Sequence, residues 1–227
     1  MTFNDLYYIC FPFIGALAGI LTAKFASIEK TIGLKLILSF SGAFLLGITV
    51  FELLPEIYSF QNKQISVLVM GGILFQILLE FFSKGAEHGH YHHDTSKNFP
   101  LGLWFSLCLH AIIEGMPLSN YTELSYGIII HKIPIGIILY LILEKTQISF
   151  KTKSIALILF CLMTPLGSLM MAQIPFLDLY HVEITAWVVG MMLHISTTIL
   201  FESTENHKLN LSKISIILSA ILLSYVL

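Results

Sequence analysis

Long apolar runs recur along nearly the whole chain, and nothing else in the sequence restricts its fold as strongly. A helix needs roughly 20 residues to cross the hydrocarbon layer of a bilayer, which is about 30 Å thick. Eight runs reach or approach that length: Tyr7 to Ala26, Leu34 to Tyr58, Ser66 to Phe82, Leu101 to Ser119, Ser125 to Leu143, Ser154 to Gln173, Glu183 to Glu202, and Leu211 to Leu227. Strands of a membrane barrel would alternate polar and apolar residues over about ten positions, and these runs do not. The sequence therefore predicts an all-α polytopic membrane protein with eight transmembrane helices. With 56% hydrophobic and 11% charged residues, a water-soluble core is the losing alternative.

Lysine placement predicts the orientation, because positively charged short loops stay on the cytoplasmic side. There is no arginine. Lys24, Lys30 and Lys35 mark the first loop, Lys84 and Lys97 the third, Lys145, Lys151 and Lys153 the fifth, and Lys208 and Lys213 the seventh. Across the membrane only the second loop carries one, Lys63. Both termini are thus expected outside, in a plasma or bacterial inner membrane. Met1 to Leu6 lacks the basic start of a cleavable signal, so the first run is read as a true span.

Short loops predict one transmembrane domain over residues 1–227, with no separate soluble unit and nothing that indicates a nucleic-acid partner. The exception is the connection over residues 83–100, expected in the cytoplasm. Its "EHGHYHHD" tract carries His88, His90, His92 and His93 between Glu87 and Asp94. Neutral imidazole is a good ligand for zinc, nickel and copper, so metal buffering or sensing is one reading and a solvated polar loop the other. Cys10, Cys108 and Cys161 fall in separate apolar runs without CxxC spacing, which indicates neither a disulfide framework nor a thiolate zinc site.

The chemistry concentrates in the fourth and fifth runs. "HAIIEG" puts His110 and Glu114 four residues apart, on one helical face, and "HKIPIG" supplies His131 near the middle of the next span. An unpaired charge at the bilayer centre costs about 2.5–3.5 kcal/mol even on the insertion scale, so Glu114 needs a cation, which either a bound metal or Lys132 can provide. Gly115 and Pro117 loosen the fourth span just past Glu114, and Pro134 deprives the Ile130 carbonyl of its helical partner in the fifth. Freed carbonyls at that depth are tolerated where they face protein, water or an ion. Taken singly, each residue also fits a hydrogen-bonded packing role. Together they predict one mixed nitrogen and oxygen site, completed by water or a side chain from the second or sixth span. Such ligands suit zinc and also manganese, iron, nickel or cadmium, and their binding weakens as acid protonates the histidines.

At these residues the chain resembles the ZIP family of divalent metal transporters. The likeness rests on His110, Glu114 and Gly115 in the fourth span, His131, Lys132 and Pro134 in the fifth, "ELLPE" from Glu52 to Glu56, "TPLGS" from Thr164 to Ser168, and the histidine-rich third loop. It implies Zn2+, Fe2+, Mn2+ or Cd2+ carried toward the cytoplasm by alternating access between the fourth and fifth spans. It also implies a 3+2+3 arrangement with inverted repeats, hinted at by "TVFELLPE" and "TILFESTE", and a homodimer. Spans one, four, five and six would move against two, three, seven and eight. Members with two metals carry further ligands where this chain has Ala111, Lys132 and Ile135, so a single metal site is expected here. Lys132 then stands in for the second cation, and Glu52 is the candidate for an additional acid.

Two rival classes stay open. A metal sensor would bind without carrying, for which Lys132 is the attraction. A membrane-embedded metalloprotease would want His-Glu-x-x-His, and that motif does not occur, so no enzyme is expected. Four remaining groups are read blandly: Glu80 and Glu144 as interfacial, His181 with Glu183 as solvated or an outer entry point, and His194 as a packing residue.

Overall fold

The computed structural model describes residues 3–25, 32–60, 62–86, 98–202 and 211–227. Every regular element among them is helical, as expected for a backbone that must satisfy its own polar groups in lipid. In order these are α1 (Phe3–Phe25), α2 (Ile32–Ile48), a π-helical turn (Thr49–Leu53) running into α3 (Leu54–Ser59), α4 (Gln64–Ser83), α5 (Leu101–Gly115) with a 3-10 turn (Met116–Ser119), α6 (Thr122–Glu144), α7 (Phe150–Gln173), α8 (Pro175–Asp178), α9 (His181–Glu202) and α10 (Leu211–Val226).

Six stretches of the described residues are long and apolar enough to cross a membrane: Gly33–Ser59, Gln64–Ser83, Leu101–Ser119, Glu123–Glu144, Phe150–Gln173 and His181–Phe201. Cys10–Phe25 and Leu211–Val226 are shorter apolar helices. The helix ends have local causes. The Ser149 hydroxyl accepts from the Thr152 amide at 3.2 Å to start α7, and Lys84 (φ 53°) with Gly85 (φ 69°) turns the chain left-handed to end α4. Pro117 lies in the 3-10 turn that tightens the end of the fourth span. Pro134 lies inside α6, which runs from Thr122 to Glu144.

The buried apolar side chains fall into two clusters stacked along the helices. One holds Leu38 of α2, Leu107 of α5, Ile138 of α6, Phe160 of α7 and Ile199 of α9. The other holds Phe44 of α2, Leu118 beyond α5, Ile128 of α6 and Val189 of α9. On α2, α5, α6 and α9, which contribute to both, the switch between clusters falls at a polar side chain or beside one: Ser41, Glu114, His131 with Lys132, and His194. A buried polar layer thus divides the core at mid-height. Neighbouring helices pair as α1 with α6, α4 with α9, α2 with α10, and α5 with α7.

Candidate metal centre

His110 and Glu114 point together from α5, as their spacing requires, and α6 brings His131 to them. One ligand atom from each lies within 4.8 Å of the other two. All three side chains are buried: His110 is 4% exposed, Glu114 1% and His131 1%. A tetrahedral zinc with bonds of 2.0–2.2 Å needs ligand atoms about 3.3–3.6 Å apart, so the widest pair has to close by about 1.5 Å at most, within reach of side-chain rotation.

Each arm of Glu114 is occupied. Oε2 stands 3.0 Å from Nε2 of His110, and Oε1 forms an ion pair with Nζ of Lys132. Thr164 of α7 adds a hydroxyl that donates to Oε1 at 3.1 Å. Lys132 is itself only 2% exposed, and its ammonium lies 4.9 Å from the centroid of the Phe160 ring, a geometry in which the ring face attracts the cation. The lysine therefore offsets the cost of keeping a carboxylate charged at this depth.

The histidines are oriented from outside the cluster. Nδ1 of His110 is 3.0 Å from Oε1 of Gln76, on α4, and donates to that amide oxygen. With Nδ1 fixed as the donor, Nε2 can present a lone pair to a metal or a proton to Glu114, the arrangement by which outer groups orient ligating imidazoles. The Ser41 hydroxyl of α2 lies 3.4 Å from Nδ1 of His131. The two imidazole rings stand 6.3 Å apart, nearly edge to face.

Close approach of α5 and α7 makes the Thr164 contact possible. A Cβ on Gly115 would strike the Thr164 carbonyl, and one on Gly167 the Ile112 carbonyl, so neither position admits a larger residue without separating the helices. Ser168, one turn past Thr164 on the same face, has a buried hydroxyl with no protein partner among the described residues.

Other sequence expectations fare differently. Glu52, on the π-helical turn, is exposed and is not among the residues whose ligand atoms converge. His88, His90, His92 and His93 lie outside the described residues. Glu80 and His194, expected separately as an interfacial acid and a packing residue, form a pair at 2.6 Å between α4 and α9. Sequence reasoning missed Gln76, whose neutral amide in an apolar run carries no charge or motif to flag it. Ser41 was missed as well, while Thr164 was visible only as part of "TPLGS". No family model matches the chain, and no curated protein matches it.

Proposed function

We propose that the protein is a divalent metal transporter of the ZIP type, carrying zinc or a similar cation toward the cytoplasm through a single site between α5 and α6. The observation that carries this reading is the convergence of two imidazoles and one carboxylate, all buried, from adjacent helices. On this reading α1, α2 with α3, α4, α5, α6, α7, α9 and α10 are eight spans, with both termini outside. The helix pairs support the 3+2+3 arrangement. If spans one to three repeat as six to eight, with four and five exchanged, the α1–α6 pair maps onto α7–α5 and the α4–α9 pair onto α10–α2, and these are the pairs formed. The homodimer and the plasma membrane belong to the same proposal.

At rest Lys132 is the counter-charge that stands against Glu114. An arriving divalent ion takes Nε2 of His110, a nitrogen of His131 and a carboxylate oxygen of Glu114, displacing the proton that Nε2 shares with the acid. Lys132 then faces the ion instead of the carboxylate. The loaded pocket carries excess positive charge, which weakens retention and favours release, as a carrier requires.

Polar groups continue from the site in both directions along the helices. Ser168 lies toward the end of α7 at Gln173. On α4, Glu80 lies one turn beyond Gln76, toward the lysine-bearing end at Lys84, and meets His194 there. These steps suit an ion that enters from one side and leaves by the other.

A non-transporting metal sensor is the second reading, favoured by the Lys132–Glu114 ion pair, which competes with metal for the carboxylate. Purified protein in liposomes loaded with a metal-sensitive dye separates the two. Metal-dependent dye response that is lost in both His110→Ala and Glu114→Ala supports transport. Saturable metal binding with no flux supports the sensor and overturns the carrier.

A further inference from the structure

A groove of about 200 Å³ runs between α1 and α7, with α6 behind it, on the side of the molecule away from Gln76 and α4. Its floor is made of buried apolar side chains, Ile20, Leu157 and Cys161, and its walls of exposed ones, Leu21 and Ile158. It is therefore open to whatever surrounds the helices, and around membrane-spanning helices that is acyl chain.

One end of the groove is charged. Lys24 stands in the last turn of α1 and Lys153 in the first turn of α7, so both lysines sit where the spans leave the apolar layer. Long lysine stems lie along apolar surface while the ammonium reaches headgroup depth. Among the described residues the only acid lining the groove is Glu144, whose Oε2 is 3.6 Å from Nζ of Lys153. Two cations against one anion leave the rim net positive. Nζ of Lys153 also donates to the Glu144 carbonyl at 3.2 Å, which holds it beside the groove mouth.

The geometry points to a site for one anionic phospholipid, with an acyl chain along Ile20 and Leu157 and the phosphate between Lys24 and Lys153. Basic pockets between helices at a membrane face recognise acidic headgroups in this way. An apolar slot alone would accept any lipid, and exposed lysines alone would attract any anion; the combination selects a lipid that carries negative charge. The assignment needs only that the helices are membrane-embedded and does not depend on metal transport.

The test is native mass spectrometry of the purified full-length protein in neutral detergent, titrated with phosphatidylglycerol or with phosphatidylcholine of the same chains. Phosphatidylglycerol is expected to be retained about five-fold or more in preference. The Lys24→Ala, Lys153→Ala double variant should lose that preference. A Lys145→Ala, Lys151→Ala pair, two lysines at the same end that do not line the groove, should keep it. Leu21→Trp, which fills the slot from its exposed wall, should reduce retention of both lipids while leaving the lysines in place. Equal retention of the two lipids by the parent protein would overturn the assignment. So would a preference that survives in the groove pair, or one abolished equally by the control pair. Displacement of phosphatidylglycerol by inorganic phosphate alone would make the site one for a free anion.

Discussion

Among the described residues two glutamate–histidine pairs lie within the helix bundle, and burial makes them chemically unlike. Glu114 and His110 have side chains 1% and 5% exposed, and the acid carries a dedicated lysine partner and a threonine hydroxyl. Glu80 and His194 are 22% and 19% exposed and meet at 2.6 Å. The second pair borders the surroundings, where water or headgroups can share in solvating the carboxylate. The first has no such recourse, and a permanent counter-charge is built in. Lys132 thus answers the cost of depth: a charged carboxylate in a buried polar layer needs a tethered counter-charge.

The comparison is broken most severely at Lys132. Lys132→Met leaves Glu114 charged, buried and unpaired, which should lower the stability of the metal-free protein by about 3–5 kcal/mol. Thermal unfolding in detergent measures this, and added zinc or cadmium should recover part of the loss. Removing both charges, with Glu114→Gln alongside, should be far milder than the single change. If Lys132→Met is as stable as the parent, the lysine is not the counter-charge. Next in size is Gly167→Ala, whose new methyl meets the Ile112 carbonyl. Separation of α5 from α7 should cost about 1–3 kcal/mol and draw Thr164 away from Glu114, so unfolding temperature and metal affinity should fall together.

Gln76→Leu sharpens the contrast differently, because it removes the group that orients His110 without touching a charge. Metal affinity should drop about ten-fold, measured by calorimetric titration, with a smaller effect on unfolding. The smallest change is expected at the wetter pair. Glu80→Gln should cost about 1 kcal/mol or less, because the amide oxygen can still accept a hydrogen bond from His194 at this partly exposed pair. A loss as large as that of Lys132→Met would erase the distinction between the two pairs.

The sequence makes the central site more legible than its surroundings, for physical reasons. His110 and Glu114 are visible because a four-residue spacing fixes a shared face on any helix, and His131 with Lys132 because charge is conspicuous in an apolar run. The spans are visible because lipid leaves a long apolar segment few choices but a helix. Gln76 is hidden because its role depends on which helix packs against α5, a contact 34 residues away in the chain. The Glu80–His194 contact spans 114 residues and is hidden for the same reason. The π-helical turn at Thr49–Leu53, which carries the exposed Glu52, leaves no sign in a pattern of apolar residues.

On the proposed function, His110, Glu114 and His131 hold one divalent ion together inside the polar layer. X-ray absorption of the zinc-loaded protein tests it most directly, using a parent in which His88, His90, His92 and His93 are replaced by alanine so that the third loop cannot contribute. The account predicts one tightly held zinc per chain, coordinated by two imidazoles and oxygen donors, with the imidazole signal halved in His131→Ala. A zinc without imidazole neighbours, or one whose coordination is unchanged in His110→Ala and His131→Ala alike, would contradict it.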